Sequence, residues 1–223
     1  MPPPPEPLPS RTTLTAVARH IGGLPDEGKR VLVALAGPPG AGKSTLCSAL
    51  SSVLANDPTT PDAVVVPMDG FHFDNCILDE RGQRPVKGAP QTFDGEGFVH
   101  LVQRLRVEPE VAFPVFDRAD DLSRAAAGLV TEGDRIVLVE GNYLLLNRAP
   151  WNRLRGMFDL TVFLDVPMGA LEERLIARWQ GYGWPEDVAR KRALENDIPN
   201  ARTVVNNSLP ADWTIRQLDG VQV

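Results

Sequence analysis

An α/β fold, with a mostly parallel sheet and helices on both faces, is what three observations predict. Short apolar runs of strand length alternate with helical patterns along the chain. One of them, Val31 to Ala36, leads directly into a glycine-rich loop and then a helix. Three of them end in an acid, Asp69, Glu140 and Asp165, and ligands in such sheets bind at the carboxyl ends of strands.

Residues 1 to 10 are proline-rich and read as an extended or disordered tail, outside a single domain over 11–223. Leu14, Val17, Ala18 and Ile21 share the face of a short helix that stops at Gly22-Gly23. Pro25 to Arg30 turns into VLVALA, apolar throughout, as a strand buried on both faces requires. Beyond the glycine-rich loop, Leu46, Ala49, Leu50, Val53 and Leu54 mark a helix to Ala55. Asn56 to Asp62 is a polar turn, and Ala63 to Met68 a second strand. Phe71 to Phe93 shows little periodicity, and a stretch that long without regular structure is usually functional or mobile. Gly95 to Arg106 is helical, with Phe98, Leu101, Val102 and Leu105 on one face. Phe113 to Arg118 is a short apolar run with a charged end, and Asp120 to Gly128, polar and alanine-rich, reads as a loop or short helix. Ile136 to Val139 is a third strand, Pro150 to Gly156 a short helix, and Leu160 to Leu164 a fourth strand. Met168 to Trp179 is a helix broken by Gly181-Tyr-Gly183, and helices follow at Pro185 to Asn196 and Pro199 to Asn207. Trp213 to Leu218 completes a five-stranded sheet, and residues 174–200 are expected to form a small helical lid. No internal repeat is present.

With 223 residues and 43% hydrophobic content, the chain can bury a substantial core. A net charge of −6 argues against a general nucleic-acid surface, so an anionic ligand needs a local positive site. Two cysteines, Cys47 and Cys76, offer neither a disulfide framework nor metal spacing. The N-terminus lacks a signal peptide's basic start, and no apolar run approaches membrane-spanning length, so a cytoplasmic protein without membrane contact is expected. A homodimer is expected from base rates alone.

The loop Gly37-Pro38-Pro39-Gly40-Ala41-Gly42-Lys43-Ser44-Thr45 matches G-x-x-x-x-G-K-[ST], between strand and helix as that motif requires. Glycines let the backbone curl so that successive N–H groups face a phosphate chain, and the helix start adds its free N–H groups. Lys43 then serves the β- and γ-phosphates of a triphosphate and Ser44 a Mg²⁺ ion. Phosphoryl transfer also wants an acid near the metal and one near the attacking hydroxyl. Asp69, followed by Gly70, Phe71, His72, Phe73 and Asn75, is the candidate base. Glu140, followed by Gly141-Asn142-Tyr143, is the candidate metal acid, with Asp165 the alternative. Arg174 and Arg178, one helical turn apart, are candidate cations for the transferring group. His20 and His100 read as ordinary helix positions, whereas His72 lies three residues past Asp69.

Gly37–Thr45 followed by Pro67-Met-Asp-Gly-Phe-His72 and Asn75 resembles the kinases grouped with uridine kinase, phosphoribulokinase and bacterial pantothenate kinase. Lys87-Gly-Ala-Pro90, Thr92-Phe-Asp94, Pro114-Val-Phe-Asp-Arg118, Glu140-Gly-Asn-Tyr-Leu144 and Asn196-Asp-Ile-Pro-Asn200 resemble its fructokinase-like branch. The resemblance spans about residues 12 to 218 and implies a P-loop fold that phosphorylates a primary hydroxyl of a small molecule with ATP. It implies Asp69 as catalytic acid, Ser44 and Glu140 at the metal, and Arg174 and Arg178 on a lid. Two positions depart from it: Pro85-Val86 separates Arg84 from Lys87, and Phe116 stands where relatives often have Tyr.

For the acceptor, Phe71, Phe73 and Phe93 offer stacking for a base, whereas Asp69, His72, Asn75, Arg118, Asn142 and Asn196 offer polar partners for a sugar. Lys87 and Tyr143 join the acceptor side. The polar set is larger and favours a fructose-like sugar over pantothenate or a nucleoside. A GTPase switch would need N-K-x-D, and no lysine follows an asparagine. An acceptor-free ATPase of the transporter type would carry an LSGGQ-like signature, which is missing too.

Overall fold

The computed structural model describes residues 11–25 and 28–216. The proline-rich start and the last residues of the strand expected at Trp213 to Leu218 lie outside that range. In chain order the elements are α1 (Arg11–Gly22), β1 (Val31–Ala36), α2 (Lys43–Ala55), β2 (Ala63–Pro67) and α3 (Asn75–Glu80). They continue with α4 (Gly95–Val107), β3 (Val111–Asp117), β4 (Leu122–Val130), β5 (Ile136–Gly141) and β6 (Leu160–Asp165). The last are α5 (Met168–Gly181), α6 (Glu186–Arg192), α7 (Ile198–Asn207) and β7 (Trp213–Arg216).

Five parallel strands form the sheet in the order β2-β5-β1-β6-β7, as the alternation of strands and helices predicts. Strand geometry sends alternate residues of β1 to opposite faces. Val31, Val33 and Leu35 join Ile21 of α1, Leu46 and Leu50 of α2, and Leu171 and Leu175 of α5 in one core. Leu32, Ala34 and Ala36 join Phe98 and Leu105 of α4, Trp151 and Tyr143 in the other. Parallel register sets Leu35 and Pro67 level with Glu140, so β1, β2 and β5 end together. The glycine-rich loop, Asp69 and Glu140 therefore emerge at one edge of the sheet.

Two segments differ from their expected form. Asp120 to Gly128 is mostly strand, since β4 pairs antiparallel with β3. Most of its side chains are exposed, so no alternation marks it, and cross-strand contacts such as Arg124 Nε to Asp117 Oδ2 at 2.8 Å hold it. The expected helix Pro185 to Asn196 ends at Arg192, and a π-helical turn, Ala193–Asp197, leads into α7. The aperiodic stretch after Phe71 holds single 3₁₀ turns and α3, too short to show a period.

The hairpin leans on the end of β2. A Cβ on Gly70 would lie 2.0 Å from the Pro114 carbonyl oxygen, so only glycine permits the approach that brings β3 beside Asp69. Arg30 locks the opposite edge. Buried just before β1, it donates to the carbonyls of Leu105 (3.0 Å), Glu108 (2.6 Å), Thr131 (2.8 Å), Asp134 (3.2 Å) and Pro109. Arg30→Ala strands these acceptors and is expected to cost about 3 kcal/mol, the scale of losing a buried charge-assisted network. The midpoint of urea unfolding checks this, and a loss below about 1 kcal/mol would mean that water replaces the guanidinium.

Candidate active site

The loop after β1 is shaped by its glycines. Gly40 and Gly42 adopt φ of 80° and 89°, in the left-handed region that glycine enters without cost. α2 begins at Lys43 without a side-chain cap, leaving its first-turn N–H groups to an anion. Lys43 is buried, and its Nζ donates to the Pro38 carbonyl at 2.9 Å and to Asn142 Oδ1 at 2.7 Å. One residue on, Ser44 Oγ donates to Glu140 Oε1 at 3.2 Å.

These groups line a cavity of about 450 Å³. Its floor is the loop from Pro39 to Thr45, with Glu140 and Asn142 from the end of β5. Arg174 and Arg178 of α5 approach from one side, and Arg174 Nη1 lies 3.4 Å from the Gly40 carbonyl. Asp69, His72, Phe116 and Arg118 approach from the other.

Asp69 Oδ2 accepts a hydrogen bond from Arg118 Nη2 at 2.7 Å. Burial pushes the Asp69 carboxyl up, but Arg118, His72, Lys43 and Arg178 outweigh it and hold the group below its ordinary value. Glu140 goes the other way: burial and the neighbouring Asp69 raise it, against Lys43 and Ser44. Behind the loop Cys47 is buried, and burial followed by Glu140 pushes its thiol well up. Asp165, the alternative metal acid, pairs with Arg216 Nε at 3.2 Å and does not line the cavity.

No protein-family model matches the chain. It is 34% identical over 204 residues to a Schizosaccharomyces pombe protein named "Putative uridine kinase C227.14", covering 85% of this chain and 84% of that one. It is 37% identical over 193 residues to YggC of Escherichia coli, covering 86% and 79%. A crystal structure described as a "putative fructose transport system kinase" from Silicibacter sp. TM1040 matches with a TM-score of 0.85 at 44% identity, over 90% of this chain and 98% of that one. The chain is a P-loop kinase of the uridine kinase, phosphoribulokinase and pantothenate kinase group. It is thus an ATP-dependent small-molecule kinase.

Not every acceptor-side residue expected from the sequence of this kinase reaches the cavity. His72, Lys87, Phe93, Arg118 and Asn142 line it. Phe71 instead meets Phe98 edge-on at 5.2 Å in the core beneath. Tyr143 is fully buried and donates to the Gly88 carbonyl at 2.5 Å. Asn75 accepts from Lys87 Nζ at 2.7 Å, and Asn196 Nδ2 donates to the Lys87 carbonyl at 3.0 Å. These three support the wall from behind. Lys87, not Arg84, enters: Arg84 pairs at the surface with Asp79 and Asp121.

The structure adds lining residues to the kinase that periodicity did not mark, among them Asp121, Arg192, Asp197 and Asn200. Asp121 has φ of 52° next to the start of β4, and tertiary pairing with Lys87 at 2.8 Å puts it there. Asp197 and Asn200 did leave a signal, as polar residues at core-facing helical positions.

Arg118→Ala removes the strongest force lowering the Asp69 carboxyl, so its pKa rises. In the intact kinase the stability drawn from this depressed carboxyl is present above the unfolded pKa and lost as pH falls through the folded value. Carbon-13 carboxyl titration by NMR is expected to show Asp69 titrating at higher pH in the variant.

Proposed function

We propose that the kinase moves the γ-phosphoryl group of ATP to a hydroxyl of a small neutral polyol, a fructose-like sugar. The observation that carries the reading is the convergence on one cavity of an ionised Asp69, the Lys43 ammonium and further polar side chains, among them His72, Arg118, Asp121 and Asn142, between the rings of Phe93, Phe116, Trp179 and Tyr182. Lys43, Arg174 and Arg178 bind the phosphates and take up charge as the phosphoryl group transfers. Asp69, oriented by Arg118, accepts the hydroxyl proton as the acceptor oxygen bonds to the γ-phosphorus and the bond from that phosphorus to ADP breaks. A depressed carboxyl is a weak base, which suits a loose transition state that needs orientation more than early deprotonation.

Ser44 and Glu140 fit Mg²⁺. They are hard oxygen donors within 3.2 Å of each other, and the raised Glu140 carboxyl is one whose charge a cation relieves. A Mg²⁺ ion held by these two groups would supply positive charge to the phosphate oxygens.

Two features favour a neutral polyol over a base or an acid. The His72 ring already packs on Phe93 at 3.9 Å and on Phe116 at 4.7 Å, and Lys87 Nζ lies over Phe116 at 4.9 Å. The phenylalanine faces on the Asp69 side are thereby engaged, while Trp179 and Tyr182 complete the aromatic lining. With Lys43, Arg174 and Arg178 assigned to the phosphates, Lys87, Arg118 and Arg192 are matched by Asp69, Asp121 and Asp197, so no further cation is left over for an anionic acceptor.

Lys43→Ala is expected to abolish transfer. Asp69→Asn is expected to leave ATP binding largely intact and cut turnover by about two orders of magnitude or more, and a normal rate would remove Asp69 as the base. An ADP-release screen over ketoses, aldoses, pantothenate and nucleosides is expected to find a ketohexose the best acceptor. ADP release at full rate without any acceptor would replace the kinase reading by an ATPase one.

A further inference from the structure

Along the π turn and α7, positions 193, 196, 197, 200, 201 and 204 are all buried, at the spacing of an apolar stripe. Yet this stripe carries Asn196, Asp197 and Asn200 beside Ala193, Ala201 and Val204. Buried polar groups cost free energy unless satisfied, so each needs a partner. Asn196 serves the scaffold through its bond to the Lys87 carbonyl. Asp197 and Asn200 line the cavity, with only 9% and 7% of their surface exposed.

Asp197 closes the π turn with helical dihedrals, φ −72° and ψ −39°, and its side chain makes no bond to the first turn of α7. Its Oδ2 accepts from Trp179 Nε1 at 2.6 Å, and its Oδ1 lies 3.4 Å from Asn196 Nδ2. Those contacts use two of the roughly four acceptor positions of a carboxylate. On the same wall Arg192 donates through its terminal nitrogens to the Pro85 and Lys87 carbonyls, both at 2.8 Å. Its Nε is buried with no hydrogen-bond partner among the described residues. Spare acceptor positions and an unanswered donor on one wall suit a hydroxyl, which donates one hydrogen bond and accepts others.

We propose that Asp197, flanked by Asn200 and Arg192, reads an acceptor hydroxyl other than the one phosphorylated, and so sets specificity for polyhydroxylated neutral acceptors. The inference rests on the polyol reading above. A sugar hydroxyl donates to the carboxylate, whereas the carboxylate of an acid such as pantothenate is repelled there. Burial raises the Asp197 carboxyl despite Trp179 and Arg192, in keeping with a group that lacks full polar satisfaction before ligand binds. A site built to hydrogen-bond a hydroxyl rejects the analogue without it more sharply than an apolar pocket could.

The test measures kcat/KM for D-fructose and for those monodeoxy analogues that keep the hydroxyl the kinase phosphorylates. The wild type is expected to lose tenfold or more on at least one analogue. Asp197→Asn is expected to lose at least tenfold on fructose, to distinguish that analogue no longer, and to keep its KM for ATP within twofold. A variant that retains the wild-type ratio between fructose and that analogue would show that Asp197 only anchors Trp179, and would overturn the proposal. Asn200→Ala runs in parallel and is expected to blunt the same discrimination. Should Asp197→Asn fail to fold, an unchanged ratio in Asn200→Ala overturns the proposal instead. If the wild type phosphorylates uridine and not fructose, the polyol reading fails by itself. The ratio is then taken between uridine and 2′-deoxyuridine, where an unchanged value in Asp197→Asn overturns the role of Asp197 separately.

Discussion

Charges withdrawn from water at the carboxyl edge of the sheet persist only because each has a counterpart. Lys43 and Glu140 are both more than nine-tenths buried, and burial alone would drive each towards neutrality. Lys43 finds two oxygens, Asp69 finds Arg118, and Lys87 finds Asp121. Glu140 is matched least well, with one hydroxyl and the charges of Lys43 and Arg118 set against burial and a nearby carboxylate, and on the function proposed above a divalent cation would complete it. The fold supplies this arrangement cheaply. Parallel register ends three strands together, and the groups they carry need no long loops to meet.

Two kinds of support surround the reacting centre. Short-range geometry shapes the phosphate loop, where glycines at positive φ set the path of the chain. The acceptor side is built from distant segments. The hairpin rests on Gly70, Lys87 joins it to α3 through Asn75, and Arg192 ties α6 to the backbone of residues 85 and 87. The Lys87 ammonium shows what this costs in ligand contacts. Its three donors go to Asn75 Oδ1 and to both the carbonyl and carboxylate of Asp121, so the residue organises the wall and has no proton left for a substrate.

What could be read from the sequence follows that division. β1, the loop and α2 follow from local pattern, because burial on both faces and the needs of a phosphate each restrict residue type. The acids at the ends of β2 and β5 were legible for the same reason, since strand ends are where such sheets hold ligands. β4 was not, because an exposed edge hairpin has no alternation and is defined by its partner. Phe71 and Phe93 look alike in sequence and both pack on the same core, yet only Phe93 also lines the cavity, beside His72. Asn196, Asp197 and Asn200 stood in plain view as polar residues on a buried helical face, a pattern that periodicity counts as noise until depth is known.

The two thiols of the chain live in opposite surroundings. Cys47 is sealed behind the phosphate loop with its ionisation suppressed, while Cys76 is open to solvent beside Asn75, the residue that grips Lys87. Asp74 raises the Cys76 thiol as well, so access is what separates the two, and a maleimide dye added under native conditions goes to one address. That address adjoins the acceptor wall, and the unmodified chain carries its own attachment point for watching that wall by fluorescence.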